Sequence, residues 1–216
     1  MQEDDLRASS NIEDRRGFSM GRAGAGGLGI GAVLILTLIG WATGINPSVL
    51  INGAEMVTGD RPAAQQQQVQ RGTPDDQTGQ FVARILGETE DVWSQQLPAE
   101  TGKQYEKPVL VLFSGATQSG CGTAQSAMGP FYCPRDRKLY LDTAFFQDMQ
   151  RRMGGGGDFA YAYVIAHEVG HHVQNLIGLL PKVQQAERQS DEATANNLSV
   201  RTELMADCLA GAWPTI

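Results

Sequence analysis

The chain has 216 residues, enough for one ordinary domain with extensions. Its formal net charge of −7 and pI near 4.9 argue against a nucleic-acid partner, which would require a basic face. The 26 glycines are unevenly spread, with many in residues 17–31 and 154–157, where no regular soluble element is expected.

Residues 1–22 are polar and charged without apolar periodicity, and read as a disordered cytoplasmic tail. Residues 23–46 read as a glycine-rich lead-in and a transmembrane helix. No charge occurs from Ala23 to Ala54, and Leu28 to Ile45 is 18 residues of nearly pure apolar character, at the short end of what a span requires. Arg15, Arg16 and Arg22 precede it while Glu55 and Asp60 follow, so the positive-inside rule places the N-terminus in the cytoplasm and the remainder outside. Trp41 fits an interfacial anchor. The alternative is a cleaved signal peptide, but the run is long for one and no small-x-small cleavage site follows it. Gly24 to Gly29 matches GxGxxG, yet a dinucleotide site needs a strand before it and a soluble helix after it, and neither is expected here. Gly27/Gly31 and Gly40/Gly44 have the spacing of helix pairing in membranes, a hint of homo-association that small flexible residues explain as well.

Residues 47–80 read as a glutamine-rich linker, with Gln65 to Gln68, Pro62 and Pro74 and no core-forming pattern. The folded domain is expected over 81–216. Phe81, Ile85, Leu86, Val92 and Trp93 predict an amphipathic helix over 78–96. Residues 108–113 predict a strand, 114–129 a loop rich in Gly and Ser, 138–142 a second strand and 143–153 a short helix. Cys121 and Cys133 fall between the two strands; a disulfide there would close a small loop in an oxidising compartment, the alternative being two free thiols. Cys208, further on, reads as a buried small apolar residue.

Asp158 to Gly178 predicts one buried helix, with Asp158 as N-cap, Gly178 as the stop and Pro181 blocking continuation. It is mostly apolar, yet it carries all three histidines of the protein, His167, His171 and His172, with Glu168. Polar groups placed in a core need partners, and a metal ion is one partner that explains this set. At about 100° per residue His167 and His171 share a face, so both imidazoles can reach one tetrahedral Zn2+. Glu168 is offset by one residue and flanks the metal, where its carboxylate can accept a proton from the attacking water. This is the HExxH arrangement. His172 points away from that face and is not counted as a ligand. A chance surface match would not favour so apolar a helix.

A polar helical connection over 182–197 and a last helix from about 197 to 213 follow. Strands before the motif helix and helices after it predict an α+β domain. A catalytic zinc needs three protein ligands and an open position. The third must be a carboxylate or Cys208. Glu203 and Asp207 lie one turn apart on the last helix; one can ligate while the other accepts the N–H of a ligand histidine. A solvated helix face is the blander account of such a pair.

The chain resembles the bacterial, membrane-anchored neutral zinc metallopeptidases. The resemblance rests on Asn11-Ile-Glu-Asp-Arg-Arg16, Thr89-Glu-Asp-Val-Trp93, Ser119-Gly-Cys-Gly-Thr-Ala124, Gly129-Pro-Phe-Tyr-Cys133, Tyr140-Leu-Asp142, Ile165-Ala-His-Glu-Val-Gly-His-His172 and Glu203-Leu-Met-Ala-Asp-Cys208. It implies a zincin-like fold and Glu203 as third ligand with Asp207 behind it; with the charge asymmetry around the apolar run, the expectation is a single-pass protein of the cell inner membrane with an extracytoplasmic catalytic domain. Family members usually continue beyond the ligand helix, so the end at Ile216 reads as an early stop. The function this implies is hydrolysis of peptide or protein substrates, with Glu168 as general base. Tyr140, Tyr161 and Tyr163 are candidates for a second oxyanion donor, and the strand at 138–142 is a candidate for pairing with an extended substrate. The rival reading is a non-catalytic, membrane-tethered zinc-binding module that contacts partner proteins.

Overall fold

The computed structural model describes residues 6–17, 69–153 and 157–212. In chain order these form β1 (Ile12–Asp14), β2 (Gln70–Arg71), α1 (Gln77–Thr101), β3 (Val109–Phe113), β4 (Ala116–Ser119), β5 (Gly122–Gln125), a 3-10 turn (Ser126–Met128), β6 (Phe131–Cys133), β7 (Lys138–Asp142), α2 (Ala144–Met153), α3 (Asp158–Leu176), α4 (Leu179–Gln189) and α5 (Glu192–Ala210). The α+β class follows from this order.

Five strands make one mixed sheet in the order β2-β1-β3-β7-β6. β1, β3 and β7 are parallel; β2 and β6 run antiparallel at the two edges. β3 lies between two neighbours and is covered on both faces, which is why it reads as the unbroken apolar run Val-Leu-Val-Leu-Phe. Its side chains alternate across the sheet. Leu110 and Leu112 join Phe81, Ile85, Leu86 and Trp93 of α1 and Ile165, Val169 and Val173 of α3 in the main core. Val111 and Phe113 face the other way, into a smaller cluster with Ala124, Cys133 and Tyr140. β4 and β5 pair as a separate hairpin, and the Cys121–Cys133 disulfide ties that hairpin to edge strand β6.

Several expectations are corrected here. Residues 6–17, read from composition as part of a disordered tail, belong to the sheet. β1 lies between β2 and β3, and Ile12 is in the main core. Composition misleads because the charges of this segment are satisfied by folded partners. Glu90 on α1 is fully buried and accepts hydrogen bonds from Ser9 Oγ (2.7 Å), Asn11 Nδ2 (2.7 Å) and Arg7 Nη2 (2.9 Å), with Lys107 Nζ at 3.2 Å. Glu13, also buried, binds Arg15 and Lys138. The linker expected over 47–80 is cut short by β2 and by α1, whose N-cap Asp76 accepts from the Gly79 N–H. The loop expected over 114–129 contains the β4–β5 hairpin, and β6 was not expected at all; three residues are too few for a periodic signal. Asp158 is the first helical residue of α3, with Gly157 at the cap position. Pro181 does not block a helix. It sits in the first turn of α4, where a missing N–H costs nothing. Cys208 is exposed, not buried. The span expected at 28–45, its pairing glycines and most of the linker lie outside the described residues. Among those described, no helix is long and apolar enough to cross a membrane.

Candidate metal centre

α3 carries the site because one face of it is core and the next is cleft. Ala162, Ile165, Ala166, Val169 and Val173 pack inward. His167 and His171 follow one turn apart on the flank, with side chains 18% and 14% exposed. α5 crosses α3 at Gly170: a Cβ there would lie 2.9 Å from the Ala206 carbonyl oxygen, so only glycine allows this approach. Ala206 is preceded by Glu203 and followed by Asp207, and the close crossing brings both carboxylates to the histidines.

Glu203 Oε2 lies 3.2 Å from His167 Nε2 and 3.4 Å from His171 Nε2, and the three donor atoms all fall within 4.8 Å of one another. Two donors on one tetrahedral zinc, each at about 2.0–2.1 Å, lie about 3.3 Å apart. The donor set therefore fits zinc in chemistry, and both carboxylate–imidazole distances match that spacing. Each histidine is oriented from behind. His167 Nδ1 is 2.9 Å from Asp207 Oδ1, and His171 Nδ1 is 3.0 Å from Gln174 Oε1. With both Nδ1 atoms donating to these acceptors, both Nε2 lone pairs face the shared centre. Gln174 is itself fixed, since its Nε2 donates to the Thr202 carbonyl on α5 at 2.8 Å.

Glu168 lines the same cleft, of about 250 Å³, with Phe131, Tyr132, His167, His171 and Glu203. Burial holds its carboxyl above the ordinary carboxylate range, against the lowering influence of His171, His167 and the Tyr132 N–H. A raised pKa suits a general base. Phe131 and Tyr132 bring β6 to the wall of that cleft.

His172 plays a different part. It is 1% exposed, donates from Nε2 to the Glu106 carbonyl (2.6 Å) and accepts at Nδ1 from the Tyr132 hydroxyl (3.0 Å), which in turn accepts from Asn175 Nδ2 (2.9 Å). Burial pulls its pKa down to about 4, so it is neutral and acts as a strut between α3 and β6.

The three candidate tyrosine hydroxyls are engaged with protein acceptors. Tyr140 donates to Asp136, Tyr161 to the Phe146 carbonyl, and Tyr163 to Asp207 Oδ1 at 2.5 Å. That last contact, ahead of His167, lowers the Asp207 pKa. β7, the strand considered for substrate pairing, is interior to the sheet; β6 is the edge beside the site. Sequence reasoning missed Gln174, Asn175, Gly170 and the Tyr132 N–H. Only Gln174 had a readable signal, its i+3 spacing from His171.

A helix presenting two histidines and a flanking glutamate, completed by a carboxylate from a second helix, defines the class of HExxH metal sites. The family model described as "Putative neutral zinc metallopeptidase" matches residues 1–215, and the chain belongs to that family. It is similar to protein YpfJ of Escherichia coli K12, with 46% identity over 218 residues covering 96% of this chain and 72% of the relative. It is also similar to protein Rv2575 of Mycobacterium tuberculosis H37Rv, with 50% identity over 123 residues covering 56% of this chain and 39% of that one. Neither relative's name states an activity. No solved structure matches the chain.

Proposed function

We propose that this protein is a zinc-dependent endopeptidase. The observation that carries the reading is the convergence of His167 Nε2, His171 Nε2 and Glu203 Oε2 on one centre, with Glu168 beside it in the same cleft. His167, His171 and Glu203 hold the metal. When bound, zinc supplies Lewis acidity that makes a water nucleophilic and polarises the peptide carbonyl. Glu168 takes the proton of the attacking water and passes it to the leaving amine. Asp207 and Gln174 keep the two imidazoles in the ligating tautomer. The extended substrate lies along the outer edge of β6. Among the described residues that edge has no strand partner, and Tyr132 on it lines the cleft with Glu168. A motif helix under a mixed sheet, with an antiparallel edge strand at the cleft, supports a zincin-like fold.

We read the apolar run Leu28–Ile45 as the attachment to the inner membrane, with the catalytic unit on the extracytoplasmic side. The Cys121–Cys133 disulfide supports an oxidising location. Cleavage of casein or a quenched peptide by the zinc-loaded full chain, abolished by chelator and restored by zinc, tests the peptidase reading. Zinc binding without turnover would favour the rival interaction module.

A further inference from the structure

The N-terminal segment and the unit that carries the metal site are parts of one sheet, although the apolar run lies between them in sequence. We propose that residues 6–17 and 69–212 lie on the same face of the membrane. The two flanks of the apolar run are then on one side of any bilayer that the run enters. The inference rests on the membrane attachment proposed above and concerns its topology.

Four observations carry it. First, Asp14 is the register partner of Gln70, and Glu13 of Arg71. Partners in an antiparallel pair are about 5 Å apart, whereas the hydrocarbon core is about 30 Å thick. The two flanks of the apolar run therefore cannot lie across a bilayer from each other while this pairing holds.

Second, β1 is not an edge that could peel away unnoticed. It lies between β2 and β3, with Leu110 N donating to Asn11 O and Arg15 N to Leu112 O. Third, the buried Glu90 carboxylate takes three of its four partners, Arg7, Ser9 and Asn11, from this segment. Without them a fully buried charge would keep Lys107 alone. Fourth, α1 is shaped to receive it. A Cβ on Gly87 would lie 2.1 Å from the Arg7 carbonyl oxygen, so the helix has a glycine where the N-terminal segment crosses it.

The test uses the full chain in bacterial cells. Ser10→Cys adds a thiol at an exposed position of the N-terminal segment, and the native Cys208 is an exposed thiol on the other part. Carbonate-washed membranes report attachment. Spheroplasts treated with a membrane-impermeant maleimide, before and after lysis, report sidedness, with the two labelled peptides resolved by mass spectrometry. Gly17→Cys is a second variant, since a Cβ at Gly17 meets nothing within 4 Å. The expected result is a membrane-retained chain whose two thiols react together, both before lysis or both only after it. A retained chain in which one thiol reacts before lysis and the other only after it would overturn the proposal and leave membrane attachment standing. A chain recovered in the soluble fraction would overturn the attachment, and the topology with it.

Discussion

The division of labour among the carboxylates and the amide around α3 can be tested residue by residue. Glu168→Gln removes the base and no ligand, so zinc content should persist while peptidase activity falls by orders of magnitude; zinc loss in that variant would make Glu168 a ligand. Glu203→Gln removes a ligand and should lower zinc affinity more than Asp207→Asn, which should cost about 10–100-fold as a loss of support behind His167. The reverse order in chelator-competition titrations would exchange the two roles. Gln174→Ala should also weaken zinc about 10–100-fold, because His171 Nδ1 loses its acceptor. Gln174→Glu keeps that acceptor but turns an oxygen onto the Thr202 carbonyl, so it should recover only part of the loss; equal affinities in both variants and wild type would show that His171 needs no orientation.

At the scale of elements, β1 and β6 hold the site's surroundings together by different means. Burial pushes the Glu13 carboxyl up, but hydrogen bonds from Lys138 and Arg15 outweigh it; for Asp14 the bonds from Arg16 do the same, so both titrate below their ordinary values. Their stabilisation is present above the unfolded-state range of about 3.9–4.3 and is lost as pH falls through the depressed folded values. The urea midpoint should therefore drop below about pH 4, and Glu13→Gln should reduce that drop. An unchanged pH profile would mean that Glu13 contributes nothing through its charge. β6 is held by the disulfide, whose cysteines are 12 residues apart. Replacing both cysteines with alanine should cost about 3 kcal/mol in denaturant unfolding, by the loop-closure argument. Activity should fall further than stability predicts, since Tyr132, next to Cys133, lines the cleft beside Glu168.

For the whole molecule, the discontinuity of the fold is the property with the largest consequence. A fragment beginning at Val69 contains every residue of the site but lacks β1 and three partners of Glu90. Leaving that charge underpaired should cost about 3–5 kcal/mol, a large part of the total stability of a domain this size. The fragment should unfold at lower urea than the full chain, and a synthetic peptide of residues 6–17 added in trans should shift the midpoint back up. A fragment as stable as the full chain would make β1 dispensable.

The HExxH spacing was legible because helix geometry converts sequence offsets of four into shared faces without reference to the rest of the fold. The same local rule marked Glu203 and Asp207 as a pair. The run at 109–113 and the alternation at 138–142 were legible as strands because burial imposes a period of two or an unbroken apolar run. What sequence could not show was which side chains satisfy one another over long separations. Ser9 and Asn11 look like solvated tail residues until Glu90, some eighty positions later, is seen buried beneath them. Tyr132 looks like an aromatic in a loop until β6 is placed against β7 and the residue is found in the cleft wall with Glu168. The α3–α5 crossing at Gly170 and Ala206 also belongs to the tertiary structure. Sequence determined the chemistry each helix can offer, because that depends on neighbours within one turn. Packing alone decided that two helices, an edge strand and a distant N-terminal segment meet, because those contacts depend on the shape of the assembled core.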